Sequence, residues 1–203
     1  MLARRQGATL LSVGAVTLAS FLLGVLTSYT QGVLPDAWRS FANSATGWTL
    51  LTVVLVFWAR VSTRLAAVLG ALSFVLLVLG YTAGAQLQSL SYSPVLFGVV
   101  GLVVGPFVGV AAAWLRAQGV RAALGTALIS GIFTGEAVYG LTVIADSTRP
   151  EYWVAIGAAG VLLLVVMVSL RIRGWVPVIL AILGTAAVAG AFIVTYTALG
   201  GSG

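Results

Sequence analysis

Four carboxylic acids carry nearly all the acid–base potential of this sequence: Asp36, Glu136, Asp146 and Glu151. There is no His, so the commonest general base and metal ligand is missing. There is no Cys, which excludes disulfides, thiolate metal sites and a thiol nucleophile. There is no Lys, which excludes a Schiff base and a phosphate-binding loop of the usual Gly-rich, Lys-containing type. Catalysis would need convergent groups drawn from four acids, hydroxyls and Arg, so the sequence reads as a non-enzyme without cofactor or metal.

Glu136 is the sharpest of the four. It lies in an apolar run, ten residues before Asp146, or about 15 Å below the outer end if the run is helical. An ionisable group at such depth in a membrane costs about 2.5 kcal/mol or more and must face protein or a wet cavity. Tyr139 and Gly140 follow at i+3 and i+4 and share its face. Thr126, Ser130 and Thr134 form a second polar line, and Gly131 with Gly135 gives a close-approach pair. Two connecting stretches add further candidates. Pro35 and Asp36 start a short amphipathic stretch with Leu34, Ala37, Trp38, Phe41 and Ala42 on one face and Asp36, Arg39, Ser40 and Asn43 elsewhere. The stretch Asp146-Ser-Thr-Arg149-Pro-Glu151-Tyr152-Trp153 is dense in charge and aromatics. Interfacial Trp and Tyr usually serve only as belt residues. The functional expectation is a ligand site of Glu136, Tyr139, Asp36, Arg39, Asn43, Trp48, Asp146, Arg149, Tyr152 and Trp153. In it, carboxylates and aromatic rings would cage a small cationic or aromatic ligand.

The composition fixes what must position these residues. Of 203 residues, 61% are hydrophobic and 7% charged, against about 25% charged in a soluble domain. Mean hydropathy is +1.14. Such a chain cannot clothe a globule in polar surface, and it reads as an integral membrane protein. The net charge of +6 rests on ten scattered Arg, which form no basic face, so nucleic acid is excluded as a partner. Seven apolar runs qualify as spans, over 8–30, 46–62, 65–87, 93–115, 122–145, 152–170 and 175–199. They lack the alternation of a membrane barrel, so they are helices. The second is the weakest, with a short apolar core from Trp48 to Ala59. The fold class is therefore an all-α bundle of seven transmembrane helices with a short outer interfacial helix. Residues 1–199 make a single transmembrane domain, and 200–203 a flexible tail or linker remnant.

Arg placement orients the bundle. Arg4, Arg5, Arg60, Arg64, Arg116, Arg121, Arg171 and Arg173 fall on one side, and Arg39 and Arg149 on the other. The first set marks the cytoplasmic face of a cytoplasmic (inner) membrane. The N-terminus is then inside, as an uncleaved signal anchor, and the C-terminus outside. In the fourth span, Gly101, Gly105 and Gly109 leave a bare face, expected to pack on the fifth span, and Pro106 predicts a kink. The segments starting at Arg64, Arg121 and Ile182 share a faint small-residue pattern, consistent with three parallel hairpins.

Three segments carry a resemblance: Leu34-Pro-Asp-Ala-Trp-Arg-Ser-Phe-Ala-Asn-Ser, Gly105-Pro-Phe-Val-Gly-Val-Ala-Ala-Ala-Trp-Leu-Arg, and Gly135-Glu-Ala-Val-Tyr-Gly with Ala145-Asp and Glu151-Tyr-Trp. They resemble a family of small actinobacterial multi-pass membrane proteins of unknown function. The resemblance covers most of the chain and implies no activity. Size and Gly-rich helices are also loosely similar to the substrate-binding subunits of energy-coupling-factor vitamin transporters, which usually have six spans. The sequence thus favours a small-molecule binding or transport component with an outward-facing pocket around Glu136. The alternative is a structural or accessory subunit of a larger membrane complex, its partners being lipids and another membrane subunit.

Overall fold

The computed structural model describes residues 2–200, with side chains from 9 to 198; the tail residues 201–203 lie outside them. Seven α-helices follow one another: α1 Leu2–Val33, α2 Ala45–Ala59, α3 Thr63–Leu87, α4 Val95–Trp114, α5 Gly119–Thr142, α6 Pro150–Leu170 and α7 Trp175–Gly200. A 3₁₀-helix, Asp36–Asn43, precedes α2, and a 3₁₀ turn, Ala145–Ser147, precedes α6. No strand occurs among the described residues.

Six of the α-helices are long and apolar enough to cross a membrane. The exception is α2, whose 15 residues reach about 22 Å, short of the roughly 30 Å hydrocarbon core. A seventh span exists only if the 3₁₀-helix and α2 are one element, and the two meet at an angle of 63°. The amphipathic stretch is thus a 3₁₀-helix that meets α2 at a sharp bend. Local chemistry explains the boundaries. Ser44 is extended and ends the 3₁₀-helix, Arg60 leaves α2 in the left-handed region, and Ser62 caps α3 by accepting from the Leu65 amide. Pro150 sits at the start of α6, where its missing donor is not needed. By contrast, α4 continues through Pro106 without a break.

The chain divides into two compact units: residues 1–33 with 48–113, and residues 34–47 with 114–203. In the first, small residues let helices touch. A Cβ on Gly24 or Gly80 would overlap backbone on α3 or α1, respectively. The bare face of α4 packs on α3, not on α5 as its spacing suggested: a Cβ on Gly105 would lie 2.7 Å from the Ala71 Cα, and one on Gly109 would overlap the Ala66 carbonyl. The reason is that Gly70 gives α3 a matching bare patch, so the two backbones approach along both surfaces. Trp48, Phe74, Leu77, Val78, Tyr81 and Ala85 form the core of this unit.

In the second unit, Gly131 and Gly135 of α5 face α7. A Cβ on Gly135 would lie 2.9 Å from the Ala189 Cα. On its other side α5 meets α6, where Gly160 lies against Phe133 and Thr134. Of its 24 residues, 14 are buried, so α5 is the central helix of this unit, as its polarity required.

Candidate functional site

The second unit places Glu136 at the start of α2. Its side chain is 4% exposed. One carboxylate oxygen, Oε1, accepts from the Ala45 amide at 2.9 Å. The other, Oε2, accepts from the Thr46 amide at 2.6 Å, a short charge-assisted distance. Ser44 Oγ accepts from the Gly47 amide at 2.9 Å. The first three amides of α2 are therefore all bonded, two by a carboxylate from another helix and one by the residue that precedes the helix. A helix start carries about half a positive charge and unpaired amides, and it is a ready anion site. Here a carboxyl side chain of the protein itself takes that place. Glu136 makes no ion pair among the described residues.

The wall of the site comes from α6. The Tyr152 hydroxyl bonds Ser44 Oγ at 2.6 Å. Its ring packs edge-on against Phe41 of the 3₁₀-helix, with centroids 6.5 Å apart, and against Trp153 at 4.9 Å. Trp153 is fixed by its indole N–H, which donates to Thr148 Oγ1 at 2.8 Å, and by Gly140, where any Cβ would overlap the indole. Ala137, Tyr152, Trp153 and Ile156 close the cluster, with Phe41 and Ile144 against them.

The other expected site residues lie elsewhere. Asp36 and Arg39 are exposed and paired with each other at 2.7 Å. Asn43, Asp146 and Arg149 are exposed. Tyr139 is half-buried and turns to α7, edge-on to Tyr196 at 5.7 Å, while Tyr196 stacks on Phe192. Trp48 belongs to the aromatic cluster of the first unit, 5.9 Å from Tyr81 and 5.7 Å from Phe97. So of the ten, Glu136, Tyr152 and Trp153 come together. No group of three acidic side chains suited to a metal occurs among the described residues. On α5, Thr134 bonds the Ser130 carbonyl at 2.8 Å, whereas the buried hydroxyls of Thr126 and Ser130 have no partner.

Ser44 and the amides of Ala45 and Thr46 did not figure among the expected residues. Two signals point to them. Ser44 stands just before an apolar run, the place of a helix-capping residue. And a buried carboxylate in a chain whose Arg residues all lie at or beyond the span ends must take its donors from hydroxyls or backbone.

A second feature lies in the first unit. Gln86, Leu90, Ser91, Tyr92 and Ser93 line a cavity of about 410 Å³ at the α3–α4 connection. Tyr92 packs edge-on to Tyr81 at 4.7 Å, and its buried hydroxyl has no partner. Burial, and secondarily the neighbouring Tyr81, push the Tyr92 hydroxyl above the ordinary tyrosine range, so it stays protonated.

The chain matches the model of a family of unknown function, DUF6518, over residues 3–201. It belongs to that family. No curated protein matches the chain, and no solved structure does. DUF6518 membership agrees with a polytopic membrane protein and adds no activity, so the reading of function rests on the bend before α2 and the carboxyl group that meets it.

Proposed function

We propose that this DUF6518 protein binds or moves a small molecule within a cytoplasmic (inner) membrane and is not an enzyme. The observation that carries the reading is the break at Ser44, where the start of α2 is held by the buried Glu136 carboxylate. A break in a span frees backbone groups that lipid cannot satisfy, and it persists where protein or a wet cavity surrounds it. Discontinuous helices whose starts face anionic groups recur at the substrate sites of secondary transporters. In this reading the pocket opens outward beside Tyr152 and Trp153. With both Glu136 oxygens already bonded to amides, the aromatic wall favours a flat aromatic ligand over a cation. With the bent pair counted as a seventh span, the Arg distribution supports an N-terminus inside and a C-terminus outside.

A second reading, an accessory subunit of a larger membrane complex, draws support from the sealing of Glu136 by Ser44, Tyr152 and the α2 backbone. Native mass spectrometry of gently extracted protein separates the two. A small-molecule adduct lost on Trp153→Ala supports binding. A stoichiometric protein partner without an adduct supports the subunit reading, and a bare chain with lipid alone contradicts both.

A further inference from the structure

The Glu136 contact is chemically conditional in a way the rest of the helix start is not. As a carboxylate, Glu136 offers only acceptors, and both oxygens face N–H donors at 2.9 and 2.6 Å. Adding a proton to Oε2 would set an O–H against the Thr46 N–H, donor to donor. The neutral carboxyl would also lose its attraction to the positive helix end. The carbonyl oxygen that remains can still accept from one amide, but the other then lacks an adequate acceptor in an apolar setting, which is costly until the turn unwinds or water enters. The neighbouring bonds survive that change. Ser44 keeps the Gly47 amide, and Tyr152 keeps Ser44, because neither involves a carboxylate.

We propose that proton uptake by Glu136 releases the first turn of α2, making the break at Ser44 a proton-operated joint that pivots on the Ser44–Tyr152 bond. This rests on reading the broken span as the working part of a binding or transport protein.

The surrounding groups leave the decision to Glu136. Tyr152 is the titratable group that α6 presents to it, through Ser44. Tyr139 of α5 and Tyr196 of α7 pair with each other. Asp36 and Arg39 of the 3₁₀-helix are exposed and bonded together. Asp146, Arg149 and Glu151, at the α5–α6 connection, are exposed. From Ala45 to Ala59, α2 carries no titratable side chain. No Arg of the described residues pairs with Glu136 to pin its charge.

The test is amide hydrogen exchange of the full chain in lipid nanodiscs, read at Ala45, Thr46 and Gly47, at about pH 9 and about pH 5 and corrected for intrinsic exchange. Protection of at least one of Ala45 and Thr46 falls about tenfold or more at the lower pH, the size expected for a lost buried hydrogen bond. Gly47 changes less. Glu136→Gln, which keeps one acceptor oxygen, abolishes the pH step and leaves one of the two amides weakly protected throughout. Should that variant misfold, Ser44→Ala serves instead: it lowers Gly47 protection and retains the step at Ala45 and Thr46. Equal protection at both pH values in the wild-type protein overturns the joint, as does an unchanged step in Glu136→Gln. A step without any small-molecule adduct keeps the joint and removes the binding reading; an adduct without a step does the reverse.

Discussion

Each compact unit buries a polar cluster, and the two solve the same problem by different chemistry. In the first unit, hydroxyls from three helices meet. Ser20 and Ser73 lie 2.8 Å apart, Ser73 reaches Thr52 at 3.3 Å, and Ser20 also bonds the Val16 carbonyl at 2.7 Å. Each hydroxyl can donate and accept, so the cluster is neutral and self-sufficient at any ordinary pH. In the second unit a single carboxylate meets two amides that can only donate. That arrangement is stronger per bond, and it holds in full only while the carboxylate is ionised. The first cluster is therefore static adhesion between helix interiors, Thr52 lying well inside α2. The second is tied to a break in a helix and can be switched.

The contrast is broken most severely by Glu136→Leu. Two buried amides lose their acceptors, and stability in detergent falls by about 2–5 kcal/mol, measured by reversible denaturation. A loss no larger than that of Ser73→Ala would mean the carboxylate is not what holds α2. Next in size is Gly140→Val, which touches neither polar cluster directly. It drives a side chain into the Trp153 indole, displaces Tyr152 from Ser44, and costs about 1–3 kcal/mol. It should also raise the exchange of the Gly47 amide, and unchanged exchange there would separate Tyr152 from the capping network. Ser73→Ala should cost only about 0.6 kcal/mol, typical of one interhelical hydroxyl bond within a membrane, with no dependence on pH. Arg39→Ala, which breaks the exposed pair with Asp36, should change stability by less than about 0.5 kcal/mol, and less still in high salt.

Much of the architecture was legible in the sequence because it depends on totals and long runs. Scarcity of charge dictates a membrane chain, and apolar runs of span length locate six helices to within a few residues. The polarity of α5 required a buried position, and it has one. Legibility fails where pairing decides. Gly101, Gly105 and Gly109 announce a bare helix face without naming its partner, and Gly70 on α3 settles the matter only in three dimensions. The second run looked weak because α2 is only 15 residues long and follows a sharp bend at Ser44. Glu136 stands out by depth alone. Its partners do not, since backbone amides have no signature in a sequence, and they come from residues 91 and 90 positions away.

Trp48 and Tyr139 teach the same lesson from the other side. Aromatic residues near the ends of spans invite a shared cage. Yet Trp48 joins Phe74, Tyr81 and Phe97 in the first unit, and Tyr139 joins Tyr196 on α7. Large rings settle where they bury most apolar area, and in this chain that need outweighs proximity to the one buried acid.

The most direct test of the central claim is the proton chemical shift of the Thr46 amide in isotopically labelled protein at neutral pH. A short bond to an ionised Glu136 predicts a strongly downfield resonance that moves upfield in Glu136→Gln, while the Ser73 and Thr52 amides stay unmoved. A Thr46 resonance at an ordinary helical position, indifferent to the substitution, would contradict it.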